Sequence, residues 1–369
     1  METEPGTAVP GTGSRGNMLW ALIMVGGGGT RLWPLSSREV PKPFLKVIPG
    51  KESFFKETVK RLSAFVDSDR MMVVGNELHL PMLRREAPRI PRNNIIGEPV
   101  GRNTAPTVAL AASLIHRIDP KAHLLVLPAD AWIETRQQFK DTIHKAYRVA
   151  AEKNSFCIFG VKPSFPSTSY GYIRYGEKIS DGVYHLKKFI EKPDETKAKR
   201  FLKEGNYLWH AGIFLASTKL VLDSLKRFAP EVLNGINRLN VENGKIQEKE
   251  KFAKLPNISI DFAVLEKIKK AYLIQAAFQW CDVGTWNSFE GLWPKDGNKN
   301  SVFGNCLSLK ACGNVVYSKE KPVYLFGVED LVVVNTPDSI LVTKKGKTEE
   351  MRALVAVVQK SNKRSTYGT

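Results

Sequence analysis

Only four cysteines occur in 369 residues: Cys157, Cys281, Cys306 and Cys312. None forms a C-x-x-C pair, so neither zinc-finger spacing nor a dithiol redox motif is present. Few, scattered thiols in a long chain suit a reducing compartment, and a cytoplasmic location is the expectation. Long apolar runs are missing as well. No stretch reaches about 18 apolar residues, so no membrane span is expected. Acidic residues are in deficit: 37 Asp and Glu against 55 Lys and Arg give a formal charge of +18. That balance favours anionic partners such as nucleic acid, acidic membrane or phosphorylated metabolites, although a solvated lysine-rich surface accounts for much of it. No aromatic RNA-binding signature accompanies the charge, and nucleic acid is not an expected partner.

Hydrophobic residues make up 43% of the chain, enough for a large core and against disorder of the whole. Residues 1–17 are rich in Gly, Pro and Thr and read as a disordered leader, with Met18 as an alternative start. The apolar run after Met18 is barely long enough for the core of a secretory signal, and the glycine loop after it does not resemble a cleavage site, so no signal is expected. Short β-type runs at 20–25, 71–75, 123–127, 156–161, 185–190, 211–216 and 271–278 then alternate with helical patterns at 53–64, 104–117, 137–151, 194–203, 218–228 and 262–269. The alternation predicts an α/β fold with a mixed, mainly parallel sheet. The turn-rich segment 291–300 marks a change of texture. Beyond it, strands at 315–317, 323–326, 331–335 and 340–343 and a helix at 349–359 predict a small β-rich unit. The expected division is a leader over 1–17, a large α/β domain over 18–292, a small β-rich domain over 293–360 and a tail over 361–369.

Directly after the first strand comes GGGGTRLWPLSSREVPKPFL, residues 26–45. Arg31 stands where a dinucleotide fingerprint needs its third glycine, and the Gly-Lys-Ser/Thr ending of a P-loop is absent. What remains is a loop of free backbone N–H groups at a strand end, with cations at Arg31 and Lys42, suited to cradling phosphates. Asp130 follows the run 123–127 through Pro-Ala, at the end of a strand where open α/β sheets place ligands. Asp282 precedes Gly284-Thr285-Trp286 in a comparable position. Read alone, each aspartate can equally be a helix cap or turn former. Asn103 can likewise be the cap of the helix that follows it.

The glycine segment resembles the signature of sugar-1-phosphate nucleotidyltransferases, and its Trp33 form resembles the mannose-1-phosphate guanylyltransferase branch. Four more segments support that branch in the expected order, at 97–112, 124–133, 189–193 (FIEKP) and 279–286 (QWCDVGTW), and 327–342 resembles the family's tail. The similarity spans about 19–355. It implies a Rossmann-like nucleotidyltransferase domain and a small C-terminal β-rich domain, with a short left-handed β-helix as one form of the latter. It implies that Gly26, Gly27, Gly28, Gly29, Thr30, Glu98, Gly101, Asn103 and Thr104 bind nucleotide, and that Arg31, Lys42 and Lys192 are catalytic. Gly171, Glu191, Lys192, His210 and Asp261 are the implied sugar-phosphate contacts. Asp130 and Asp282 are the implied ligands of Mg²⁺.

The implied reaction is attack of a sugar 1-phosphate, mannose 1-phosphate first among them, on the α-phosphorus of GTP. Two residues depart from the family pattern: Ala131 replaces a histidine and His210 replaces an asparagine. The second change bears on which sugar is used, because an imidazole differs from an amide in reach and charge. A guanylyltransferase for another sugar 1-phosphate is therefore one alternative, and a catalytically silent sugar-nucleotide binder that regulates a partner is another. A homodimer is expected, and an appended isomerase-like domain is not.

Overall fold

The computed structural model describes residues 18–27 and 29–365, so Gly28 and the expected leader lie outside the described residues. Its main sheet has eleven strands. Across the sheet they run Val241–Glu242, Lys245–Ile246, Ile95–Glu98, Met71–Asn76, Leu19–Val25, His123–Pro128, Tyr207–Ser217, Phe156–Val161, Ala271–Gln275, Val183–Ile190 and Tyr172–Ser180. The sheet is mixed. Leu19–Val25 pairs in parallel with both of its neighbours, Met71–Asn76 and His123–Pro128. Tyr207–Ser217 runs antiparallel to both strands beside it.

The first strand shows why this sheet is buried on both faces. Leu19, Ala21, Ile23 and Val25 point to one layer, among residues of the helices Phe54–Leu62 and Arg136–Lys153. Trp20 and Leu22 point to the other, among residues of Thr104–Ile118 and Thr218–Phe228. A strand covered on both sides reads as an unbroken apolar run, because its period-two alternation separates two cores rather than core from water. Each buried Leu, Ile or Val among them contributes about 1.5–3 kcal/mol of burial free energy. Helix starts are set locally: Ser53, Asp194 and Ser217 each accept a backbone N–H three residues on.

The second sheet has four strands, Ser301–Leu309, Val315–Phe326, Leu331–Asn335 and Ile340–Lys344. The first three are parallel, with Ser301 beside Val315 and Val315 beside Val332. Flat parallel strands need a long crossover. Here only a short turn separates the first two strands, so the second half of each bent strand carries the chain around into the next rung. That winding is a β-helical coil. The segments expected separately at 315–317 and 323–326 are the two ends of one such strand.

The texture change near residue 293 is a passage between sheets and leaves no gap in packing. One cluster joins Leu32, Leu45, Phe54 and Trp132 to Trp286, Trp293, Val315, Val332 and Met351. Trp286 Nε1 donates to the Trp33 carbonyl (3.1 Å) and Trp293 Nε1 to the Val47 carbonyl (2.7 Å). The last helix, Met351–Ser365, packs on the 3-10 turn Thr30–Leu32 and runs into the segment expected as a tail. The helix expected at 262–269 is instead a π-helical turn, Asp261–Leu265. Among the described residues no helix is long and apolar enough to cross a membrane.

Candidate active site

Parallel pairing of Leu19–Val25 with His123–Pro128 sets Met24 opposite Pro128. The glycine loop and the Ala129-Asp130 segment therefore leave the sheet side by side. A two-stranded ribbon brings in the second aspartate. Trp280–Cys281 pairs antiparallel with Trp132–Ile133, Cys281 opposite Trp132, so Asp282 emerges beside Ala131 and Asp130. Lys42 closes the group from the end of the glycine segment. Its Nζ lies 3.0 Å from Asp130 Oδ2 and 4.0 Å from Asp282 Oδ1, and it donates to the Asp282 carbonyl. Burial works against the Lys42 ammonium, yet Asp130 and Asp282 together hold its pKa above the usual lysine value.

These groups line a cavity of about 160 Å³ together with Gly26, Gly27, Gly29, Thr30 and Arg31. Gly27 has φ 94° and Gly29 φ 55°, backbone that disfavours any side chain. A Cβ at Gly29 would stand 3.0 Å from the Lys42 Cβ, so the loop closes against Lys42 only as glycine. Two carboxylates facing one ammonium leave a net negative charge, and their oxygens are hard donors. The donor set fits a divalent cation of the Mg²⁺ kind, which fills its remaining positions with water and phosphate oxygen. Arg31 is not free: its Nη1 lies 3.4 Å from Glu349 Oε2, a partner from the far end of the chain.

A second cavity, about 440 Å³, shares Gly26, Gly27 and Asp130 with the first. It is lined by Glu98, Gly101, Asn103 and Thr104, which join Gly26 and Gly27 there, while Gly29 and Thr30 line the first cavity and Gly28 lies outside the described residues. Asn103 is also the helix cap: its side chain accepts the Thr104 N–H at 2.9 Å. Sequence reasoning missed Thr107 and Asn257 on the same wall. Thr107 lies one helical turn beyond Asn103, and that periodicity was the available signal. Its hydroxyl donates to Glu98 Oε1 at 2.6 Å. Burial raises the Glu98 pKa to about 7, against the opposing pull of that hydrogen bond.

The expected sugar-side residues form a separate cluster. The Gly171 carbonyl accepts the His210 N–H at 2.8 Å, and a Cβ on Gly171 would meet Glu191 Oε2 at 2.6 Å. His210 Nδ1 lies 3.3 Å from Asp261 Oδ1 without an aligned hydrogen bond, and His210 Nε2 has no partner among the described residues. Burial pushes His210 down to about 4 and Asp261 up to about 6. Lys192 Nζ reaches Glu191 Oε1 at 2.6 Å while its own side chain stays 60% exposed. Glu191, His210 and Asp261 offer ligand atoms within 4.8 Å of one another, but the Lys192 ammonium already serves Glu191 as its cation. The antiparallel register of Tyr207–Ser217 with His123–Pro128, Phe214 opposite Val126, carries His210 toward the Asp130 end of its neighbour. Thr104 ties the halves together, its Oγ1 accepting the Ile260 N–H at 2.9 Å.

Residues 20–298 match the nucleotidyl transferase family, and residues 304–357 match the MannoseP isomerase/GMP-like beta-helix domain. A mannose-1-phosphate guanylyltransferase of Klebsiella pneumoniae is 35% identical over 366 residues, covering 95% of this chain and 76% of that protein. An Escherichia coli protein of the same name is equally similar, at 35% over 366 residues with the same coverage. Among solved structures, a Thermus thermophilus protein described as a mannose-1-phosphate geranyltransferase superposes with a TM-score of 0.85 at 30% identity, covering 93% of this chain and 99% of that one.

Proposed function

The chain belongs to the mannose-1-phosphate guanylyltransferase family of nucleotidyltransferases, and on that basis we propose that it transfers GMP from GTP to mannose 1-phosphate, giving GDP-mannose and pyrophosphate. The observation that carries this reading is Lys42 held between Asp130 and Asp282 where the phosphate and nucleoside cavities meet.

A phosphate oxygen of the sugar 1-phosphate forms the new bond to the α-phosphorus of GTP. The bond from that phosphorus to the β-bridging oxygen breaks, and its electron pair leaves with pyrophosphate. The attacking oxygen is already ionised near neutral pH, so no general base is needed. The chain's task is to align two anions that repel each other and to neutralise charge as it moves. The glycine-loop amides, Arg31 and Lys42 hold the triphosphate and the departing pyrophosphate. Lys192, exposed and paired with Glu191, exchanges that carboxylate for the incoming phosphate. Guanine presents two adjacent donors, N1–H and the N2 amino group, and Glu98 would accept them. Asp130 and Asp282 would hold Mg²⁺, which screens the phosphate charge when bound. Pyrophosphate release on mixing GTP, Mg²⁺ and mannose 1-phosphate tests the reading, and its absence with every hexose or heptose phosphate would refute it.

One observation favours a second sugar. His210 brings an imidazole, 3.3 Å from the Asp261 carboxyl, to the place of a family amide, and a different hydroxyl pattern can suit those two groups. Location and assembly belong to the same proposal. All four cysteines are unpaired, which suits the cytoplasm. Leu307 lies beside Tyr324 and Leu309 beside Phe326, and all four are more than half exposed. Monomers rarely leave such an in-register apolar face bare, and a second copy of this chain across a two-fold axis would cover it. Sedimentation should give a dimer that Phe326→Glu converts to monomer.

A further inference from the structure

The wall of the phosphate cavity includes a residue from the far end of the chain. Met351 and Val355 are buried, and they anchor the last helix on the turn Thr30–Leu32. That docking brings Arg352 into the same cavity as Arg31, Lys42, Asp130 and Asp282. Arg352 makes no hydrogen bond or ion pair among the described residues, so its guanidinium is uncommitted. Glu349, three residues earlier, holds Arg31. One short segment thus does two opposed things: it adds a cation to the cavity and occupies a cation already there. A polyphosphate entering between them carries several negative charges and presents planar pairs of oxygens that a guanidinium fork matches.

We propose that the C-terminal helix completes the triphosphate site, with Arg352 contacting the β- and γ-phosphates of GTP and the Arg31–Glu349 pair opening as they enter. The inference rests on the guanylyltransferase reading and adds a ligand contact from the β-helical end of the chain. Arg31 exchanges a carboxylate for a phosphate oxygen. Glu349 is released toward solvent, where it is already 64% exposed. Glu349 is therefore a gatekeeper that weakens GTP binding, and Arg352 a contact that strengthens it. Guanosine monophosphate has no β- or γ-phosphate to offer Arg352, so its affinity should change little in either variant.

Equilibrium binding of GTP, GMP and inorganic pyrophosphate to the full chain separates these roles. Arg352→Ala and Arg352→Gln should weaken GTP and pyrophosphate about tenfold, as loss of a charged hydrogen bond does, while GMP stays within about twofold. Arg352→Lys should recover part of the loss, because a point charge replaces the fork. Glu349→Gln should tighten GTP about threefold by freeing Arg31. Arg352 is exposed, so its variants should melt with the parent, and the Gln and Lys variants guard against a local packing effect. GTP affinity unchanged in both Arg352→Ala and Arg352→Gln, or GMP weakened as much as GTP, would overturn the proposal. If Asp282→Ala abolishes turnover while the Arg352 variants are neutral, only this inference fails. If the parent chain binds no GTP, the guanylyltransferase reading fails with it.

Discussion

At the phosphate end of the cleft, charges face charges: Lys42 lies between Asp130 and Asp282, and Arg31 meets Glu349. At the sugar end, His210 Nε2 and Asp261 Oδ1 are buried with no aligned hydrogen bond among the described residues. On the proposed function, the difference matches what each end would receive. Phosphates arrive with charge and can be exchanged for carboxylates at modest cost, so the cations are kept screened until then. A sugar brings hydroxyls, which both donate and accept, and buried polar atoms without partners are worth most to such a ligand. An unmet buried polar group costs about 1–3 kcal/mol. On the proposed function, His210 and Asp261 hold that cost in the free protein and a bound sugar would relieve it.

Removing a charge at the phosphate end should have the largest effect. Asp282→Ala should leave a folded chain whose turnover with GTP and Mg²⁺ falls at least about a hundredfold, the scale set by loss of one electrostatic stabiliser of a transition state. Near-normal turnover would place the metal elsewhere. Lys192→Ala probes the junction between the ends. It should raise KM for the sugar 1-phosphate about thirtyfold, the range for a hydrogen bond to a charged group, while GTP affinity holds. A matched loss of GTP affinity would mean that the two ends are not separable.

The smallest effect belongs to Glu98 and depends on pH. Its folded pKa of about 7 lies above the ordinary 4.5, so the folded chain keeps a proton that the unfolded chain has lost. Ionising it as pH rises from 4.5 through 7 therefore costs stability in the free protein. Ionised, Glu98 offers both oxygens as strong acceptors to guanine's two donors, so GTP affinity should rise as pH passes from about 6 to about 8, by up to about tenfold. Glu98→Gln should flatten that profile. A parallel rise in the variant would remove Glu98 from base recognition.

Much of this cleft was legible in the sequence because it is written in local motifs. Four glycines after a buried strand, an aspartate just past another strand, and Lys42 between two prolines each announce themselves within a few residues. The pairing of distant segments does not. That Asp130 and Asp282 meet depends on the ribbon of Trp132–Ile133 with Trp280–Cys281, two residues a side and too short to show a period. The Arg31–Glu349 contact spans 318 positions, and nothing local marks either partner for the other. The strands Tyr172–Ser180 and Ser301–Leu309 escaped notice because their polar and glycine residues break the apolar alternation. The π-helical turn Asp261–Leu265 was read as a helix because its apolar spacing covers barely one turn, where the two periods coincide.

The most direct test of the central claim is the mass of the product formed when the full chain is incubated with Mg²⁺, each of GTP, ATP and UTP, and a panel of sugar 1-phosphates. A GDP-hexose with one pyrophosphate per product is expected, from GTP and with mannose 1-phosphate as the preferred acceptor. Product from UTP or ATP in preference to GTP, or no sugar nucleotide from any combination, would contradict it.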